Sequence, residues 1–226
     1  MEVFEDIACT ACGCVCDDLR ITVDEGRIVE AQRACHLAEP WFFGKHQADR
    51  PAAEIEGREV PLEEAVQLSA ELLTAAKNPL IYGLSRSSTP GQRAAIRLGD
   101  LLGANVDTTA SLCHGPSIMA IQEAGESTCS LGEIRNRADL VIFWGVDPVN
   151  SHPRHMERYS ADPDGMFLPG GRADRQVIVV DQQETETCGL ADDFVRIEPN
   201  QNFEAIWTLR SLLRDIAPPE DVPLGE

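Results

Sequence analysis

From about residue 60 the chain repeats one pattern, a short and almost wholly apolar run followed by an amphipathic stretch. The runs are PLIYGLS (79–85), ANVDTT (104–109), DLVIFWG (139–145), QVIVVD (176–181) and DFVRIE (193–198). Runs of this length without polar alternation are expected to be strands covered on both faces, and helices between them supply the crossovers that parallel pairing needs. The first such helix places Leu62, Ala65, Val66, Ser69, Leu72, Leu73 and Ala76 on one face. Others are expected over 91–103, near 117–124, 130–137 and 152–160, and over 203–214. The fold class is therefore α/β, with a doubly wound, mostly parallel sheet whose ligands bind beyond the C-terminal strand ends. The tail from Ala217 reads as a frayed end.

The first 50 residues follow a different rule. ACTACGCVCDD (8–18) sets Cys9, Cys12, Cys14 and Cys16 within eight positions. Two alternating runs follow, Leu19 to Val23 and Arg27 to Ala31, and Asp24-Glu25-Gly26 joins them as a β-hairpin that ends just before Cys35. An apolar helical turn in HLAEPWFFGKHQADRP closes the segment. We therefore expect a small N-terminal cysteine-rich β domain over residues 1–50 and a Rossmann-like α/β domain over 51–226.

The N-terminus lacks the basic-then-apolar layout of a signal peptide, and no stretch reaches the roughly 20 apolar residues of a membrane helix. A cytoplasmic setting is expected, and reducing conditions there turn eight cysteines toward metal or redox chemistry rather than disulfides. The spacing Cys9-x2-Cys12-x3-Cys16, completed by Cys35, offers four thiolates. That set suits a cubane iron-sulfur cluster, and it also suits a tetrahedral zinc site. Cys14 is a surplus thiol, best read as packing, while Asp17 and Asp18 are expected to cap backbone or pair with an arginine. A net charge of −19 argues against a nucleic-acid partner.

A second constellation, TTASLCHGPS, puts Cys113 and His114 on a Gly-Pro loop just past a predicted strand. Taken alone, the pair is most simply a buried thiol beside a loop histidine. Downstream, VIFWGVDPVNSHPRH and VIVVDQQETETCGLADDFVRIEPN resemble the elements that contact the nucleotide end of molybdopterin guanine dinucleotide in the molybdenum and tungsten oxidoreductases. The leading cysteine unit is similar to the cluster domain that opens those proteins. Within that superfamily, CGCVCDD, SLCHGPS and NSHPRHMERYS together most closely resemble the B subunit of formylmethanofuran dehydrogenase, in a short or truncated form.

The resemblance implies a component of a larger complex that interconverts carbon dioxide and formate, carried as formylmethanofuran, at a pterin-bound tungsten or molybdenum. It implies that Cys9, Cys12, Cys16 and Cys35 ligate a [4Fe-4S] cluster. Cys113 would give the metal its protein thiolate, and His114 would carry a proton or donate a hydrogen bond. Gly145, Asp147, His152, Asp181 and Thr187 would line the pterin dinucleotide. A related B subunit, in a bacterial formyltransferase/hydrolase complex of one-carbon metabolism, performs no redox catalysis and is the alternative the resemblance brings with it. The chain departs from the wider pattern in three places: it is much shorter, DQQETET lacks the Pro-Arg that often follows the aspartate, and Cys14 is an extra thiol.

Overall fold

The computed structural model describes residues 1–44, 51–85 and 87–217. The expected tail from 218 on, and the end of the N-terminal segment at 45–50, lie outside the described residues. The chain forms two compact units, one of Met1–His46 with Cys129–Glu226 and one of Gln47–Thr128.

The chain opens with β1 (Glu2–Ile7), β2 (Leu19–Asp24) and β3 (Arg27–Gln32), an antiparallel sheet in that order. The β2–β3 hairpin is the expected one. Glu25 and Gly26 both have positive φ (47° and 75°), the backbone a two-residue turn needs to match strand twist. Strand β1 was not foreseen; it pairs with β2 along a largely exposed edge. Leu19, Ile21 and Ala31 point inward and pack with Ala38 and Phe42 of α1 (Ala38–Phe43) and with Cys9, Cys14 and Cys16.

The second unit begins with a small hairpin, β4 (Glu54–Ile55) and β5 (Arg58–Glu59). It continues through α2 (Leu62–Ala75), β6 (Leu80–Gly83), α3 (Thr89–Leu102), β7 (Asn105–Thr108), α4 (Thr109–Cys113) and α5 (Gly115–Ala124). Strands β6 and β7 pair in parallel, with Leu80 opposite Asn105. Helix α3 is bounded as its sequence dictates. The Ser88 hydroxyl accepts the Gly91 N–H at 3.3 Å, Pro90 sits in the first turn, and Gly103 stops the helix at φ 62°. Gly99 lets α3 approach β7, since a Cβ there would stand 2.8 Å from Val106 Cγ2. The apolar side chains Leu62, Val66 and Leu72 of α2 are exposed.

The first unit resumes with α6 (Leu131–Arg137), whose start is a reciprocal capping box of Ser130 and Glu133. There follow β8 (Leu140–Trp144), α7 (Pro148–Ser151), β9 (Gln176–Asp181), β10 (Asp193–Arg196) and α8 (Asn202–Leu212). These strands form a parallel sheet ordered β10-β9-β8, with Leu140 opposite Gln176 and Asp193 opposite Ile178. One face, carrying Val141, Phe143, Val177 and Val179, packs on Met156 and Ala161. The other, carrying Ile142, Trp144, Ile178 and Val180, faces α8 across an open cleft.

The α/β class is thus observed, with two corrections. The described parallel strands make two small sheets rather than one, and the order β10-β9-β8 contains no reversal, so this sheet is not doubly wound. Apolar runs specify strands, but which strands become neighbours is decided by contacts distant in sequence. The expected helix over 152–160 is also absent: α7 ends at Ser151, and a π-helical turn occupies Met156–Ser160. Pro153 explains the break, because it lacks an N–H and forces His152 out of helical geometry (φ −142°, ψ 65°).

The compact units also cut across the expected segments. Residues 1–44 pack with 129–217 rather than forming a body of their own. Replacing Leu19, which is 1% exposed, by alanine is expected to cost about 2–5 kcal/mol in denaturant unfolding of the full chain. Val29→Ala on the same sheet, at a half-exposed position, should stay within about 0.5 kcal/mol.

Candidate cofactor and metal site

The loop between β1 and β2 carries four cysteines and is closed on itself by the Cys9 N–H, which donates to Cys16 O at 2.7 Å. β3 returns the chain so that Cys35 reaches the same place just before α1. Cys9, Cys12, Cys14, Cys16 and Cys35 line one pocket, together with Arg33 and Arg154. The four cysteines expected as ligands and the surplus Cys14 thus line the same pocket. Among the described residues no three His, Cys, Asp or Glu side chains converge in a metal-holding group. By type the donors fit an iron-sulfur cluster or zinc, being soft thiols from two chain segments facing one space.

Cys14 is 1% exposed, and its thiol donates to His152 O at 3.8 Å. Burial, reinforced by the neighbouring Cys12, pushes this thiol up to about 12, so it stays protonated and behaves as packing. Burial also raises Cys16, against the opposing pull of Arg154 and Arg158.

Those arginines come from the turn after Pro153 and hold the cysteine loop. Arg154 forks onto both carboxylate oxygens of Asp18 at 2.8 Å, and also reaches Arg33 O at 3.1 Å and Glu157 at 2.7 Å. Arg158 pairs with Asp17 at 2.5 Å and Asp18 at 2.6 Å. The hydrogen bond and charge of Arg154 hold Asp18 below the usual carboxylate range. The expectation that Asp17 and Asp18 meet arginines is met. Tyr159 adds a hydroxyl bond to Cys14 O at 2.8 Å. His152 lies so close to Gly13 that a Cβ there would stand 3.2 Å from its Nε2. His155, beside Phe143 and Tyr159, is shifted below the usual imidazole range by burial and contacts Ser160 Oγ at 2.9 Å. Sequence reasoning took only His152 from NSHPRHMERYS; the i, i+4 spacing of Arg154 and Arg158 beside an acidic Cys-Asp-Asp loop was the available signal for the rest.

Around the C-terminal strand ends, Gly145 follows β8 with φ 62°, its N–H donates to Val180 O at 2.8 Å, and the space where a Cβ would sit is open. Asp147 accepts hydrogen bonds from the Thr187 hydroxyl and from Asn150 at 2.7 Å. These bonds, the one from Thr187 foremost, hold its carboxylate below the usual range. Thr187 is fully buried and also accepts the Val149 N–H at 3.3 Å, so it braces the β8–α7 loop from beneath. Asp181 ends β9 and accepts the Gln182 N–H at 2.7 Å. Gly145, Asp147 and Asp181 therefore share one edge of the sheet, while His152 turns to the cysteine loop.

Cys113 and His114 belong to the other unit. β7 runs directly into α4, so Cys113 is the exposed last residue of a short helix rather than a loop residue, and His114 joins α4 to α5.

Fold and site define the class: an α/β protein with five thiols gathered against a parallel-sheet unit. The chain is 40% identical over 221 residues to the B subunit of the tungsten-containing formylmethanofuran dehydrogenase 2 of Methanocaldococcus jannaschii, covering 95% of this chain and 51% of that protein. It is likewise 40% identical over 218 residues to the protein of that name from Methanococcus maripaludis, covering 93% and 50%. By sequence it is a relative of the B subunit of formylmethanofuran dehydrogenase, and it spans about half the length of these curated relatives. Its fold is similar to a chain of the formyltransferase/hydrolase complex from Methylorubrum extorquens, solved with methylofuran, at a TM-score of 0.57 and 21% identity over 72% of this chain and 44% of that one. No family model matches.

Thr187→Val removes a buried hydroxyl and leaves Asp147 and the Val149 N–H short of a partner, at a cost of about 1–3 kcal/mol near neutral pH. Because the folded state depresses Asp147 below its ordinary 3.8, this contribution is complete above that pH and fades as pH falls through the lowered value. Denaturant unfolding of both chains at pH 6 and pH 3 should show the gap narrowing in acid; an unchanged gap would assign it to packing alone.

Proposed function

We propose that the chain acts as the B subunit of a formylmethanofuran dehydrogenase, in a cytoplasmic complex that interconverts carbon dioxide and formate carried as formylmethanofuran. The observation that carries this reading is the 40% identity across nearly the whole chain, joined to five cysteines lining one pocket. In this reading residues 1–44 serve as the cysteine-rich part of the first unit, and Cys9, Cys12, Cys16 and Cys35 hold a [4Fe-4S] cluster while Cys14 packs behind them.

Gly145, Asp147 and Asp181 meet the molybdopterin guanine dinucleotide at the strand edge. The open backbone at Gly145 admits close approach, and the two carboxylates accept hydrogen bonds from ring or ribose donors. Thr187 acts through Asp147, which it orients. His152 stands between this edge and the cysteine loop. Cys113 supplies a soft thiolate to tungsten or molybdenum, and His114, next to it in sequence, moves a proton near neutrality. When bound, the metal–pterin group supplies the two-electron chemistry, and the protein orients it and sets its potential. Other members of the complex would complete the enzyme.

The test is metal and sulfide analysis of anaerobically purified chain, with its visible spectrum. The expected result is a brown protein with about four irons, whose iron is largely lost in Cys35→Ser and retained in Cys14→Ser. A colourless chain with one zinc would overturn the electron-transfer role and return the non-redox role of the related formyltransferase/hydrolase complex component.

A further inference from the structure

The segment HPRHMERYS contributes one residue, His152, to the proposed dinucleotide site, yet four of its side chains or carbonyls bear on the cysteine loop. Arg154 and Arg158 are mostly buried there, with side chains 11% and 17% exposed. Arg154 is anchored on Asp18, and Arg158 on both Asp17 and Asp18, the residues directly after Cys16. Arg154 also ties the loop to the approach of Cys35 through Arg33 O, so it grips both chain segments that bring thiols to the pocket. Arg154 itself lines the thiol pocket, and Arg158 sits on the two carboxylates that directly follow Cys16, so both cations stand next to the thiols.

We propose that Arg154 and Arg158 are positioning residues of the cysteine site. They clamp the Cys9–Cys16 loop and the Cys35 approach in register, and they set two positive charges beside the sulfur centre held there. The clamp stands on the contacts themselves; the charge role rests on the proposed metal site. Outer partners of this kind fix ligand geometry, and net charge beside a cluster sets its reduction potential. A positive charge favours the reduced, more negative state of a cluster, so its removal lowers the potential.

The experiment uses the full chain and two readouts. In the metal-free, reduced chain, iodoacetamide modification followed by mass spectrometry reports each thiol, and the exposed Cys113 and Cys129 serve as internal references. In R154Q/R158Q, Cys14, on which neither arginine acts directly, should react about tenfold faster or more relative to those references; an unchanged ratio overturns the clamp. In iron- and sulfide-reconstituted chain, R154Q/R158Q should shift the reduction midpoint downward, whereas R154K/R158K, which keeps the charge without the fork, should hold it near the starting value. Equal midpoints in all three overturn the charge role. If the unaltered chain takes up no iron, the function proposed above fails, and the alkylation ratio still decides the clamp. Should the double variant not fold, Asp18→Asn leaves both arginines in place and must give the same alkylation result.

Discussion

A two-pronged guanidinium–carboxylate pair, Arg154 on Asp18, joins stretches of chain 136 residues apart, and much of the first unit depends on it. Solvated ion pairs contribute little to stability. This one differs in being bidentate, three-quarters or more removed from solvent on both sides, and extended by Arg158, Glu157 and the Arg33 carbonyl. Removing either partner would leave a partly buried charge with one remaining counter-charge, Glu157 for Arg154 or Arg158 for Asp18. The pair, with the Tyr159 and His152 contacts to Cys14, ties the thiol-rich loop of residues 1–44 to the 152–160 segment.

The same segment connects the two halves of the proposed site. Gly145 and Asp147 open it at the strand edge, Pro153 breaks the helix, and the turn that follows delivers Arg154, Arg158 and Tyr159 to the cysteines. His152 sits at the corner, its carbonyl on Cys14 and its ring against Gly13. One short stretch thus couples the proposed dinucleotide edge to the cysteine loop through contiguous contacts. That is the physical content of the electron-transfer role proposed for this chain.

Local features were legible in the sequence wherever the chemistry is local. The β2–β3 hairpin follows from Asp-Glu-Gly, most of α3 from the glycine-bounded run over 91–103, and the strands from their apolar runs. The gathering of Cys35 with the first four cysteines was legible because the hairpin's length returns the chain to its start. What spacing could not disclose was long-range: the division into units, the strand order, and which arginines meet Asp17 and Asp18. Thr187 shows the difference at one residue. Its motif pointed to the ligand, but burial beneath Asp147 makes it a brace. Cys113 shows it at another, since the expected loop is a helix end.

The most direct measurement is a double-mutant cycle on Asp18 and Arg154. The opening free energy of the β1–β3 sheet would be read from hydrogen exchange at the Leu19, Ile21 and Ala31 amides in the full chain, Asp18→Asn, Arg154→Gln and the double variant. Coupling of about 1 kcal/mol or more is expected if the pair holds the cysteine loop in place. Additive effects, with coupling below about 0.3 kcal/mol, would contradict it.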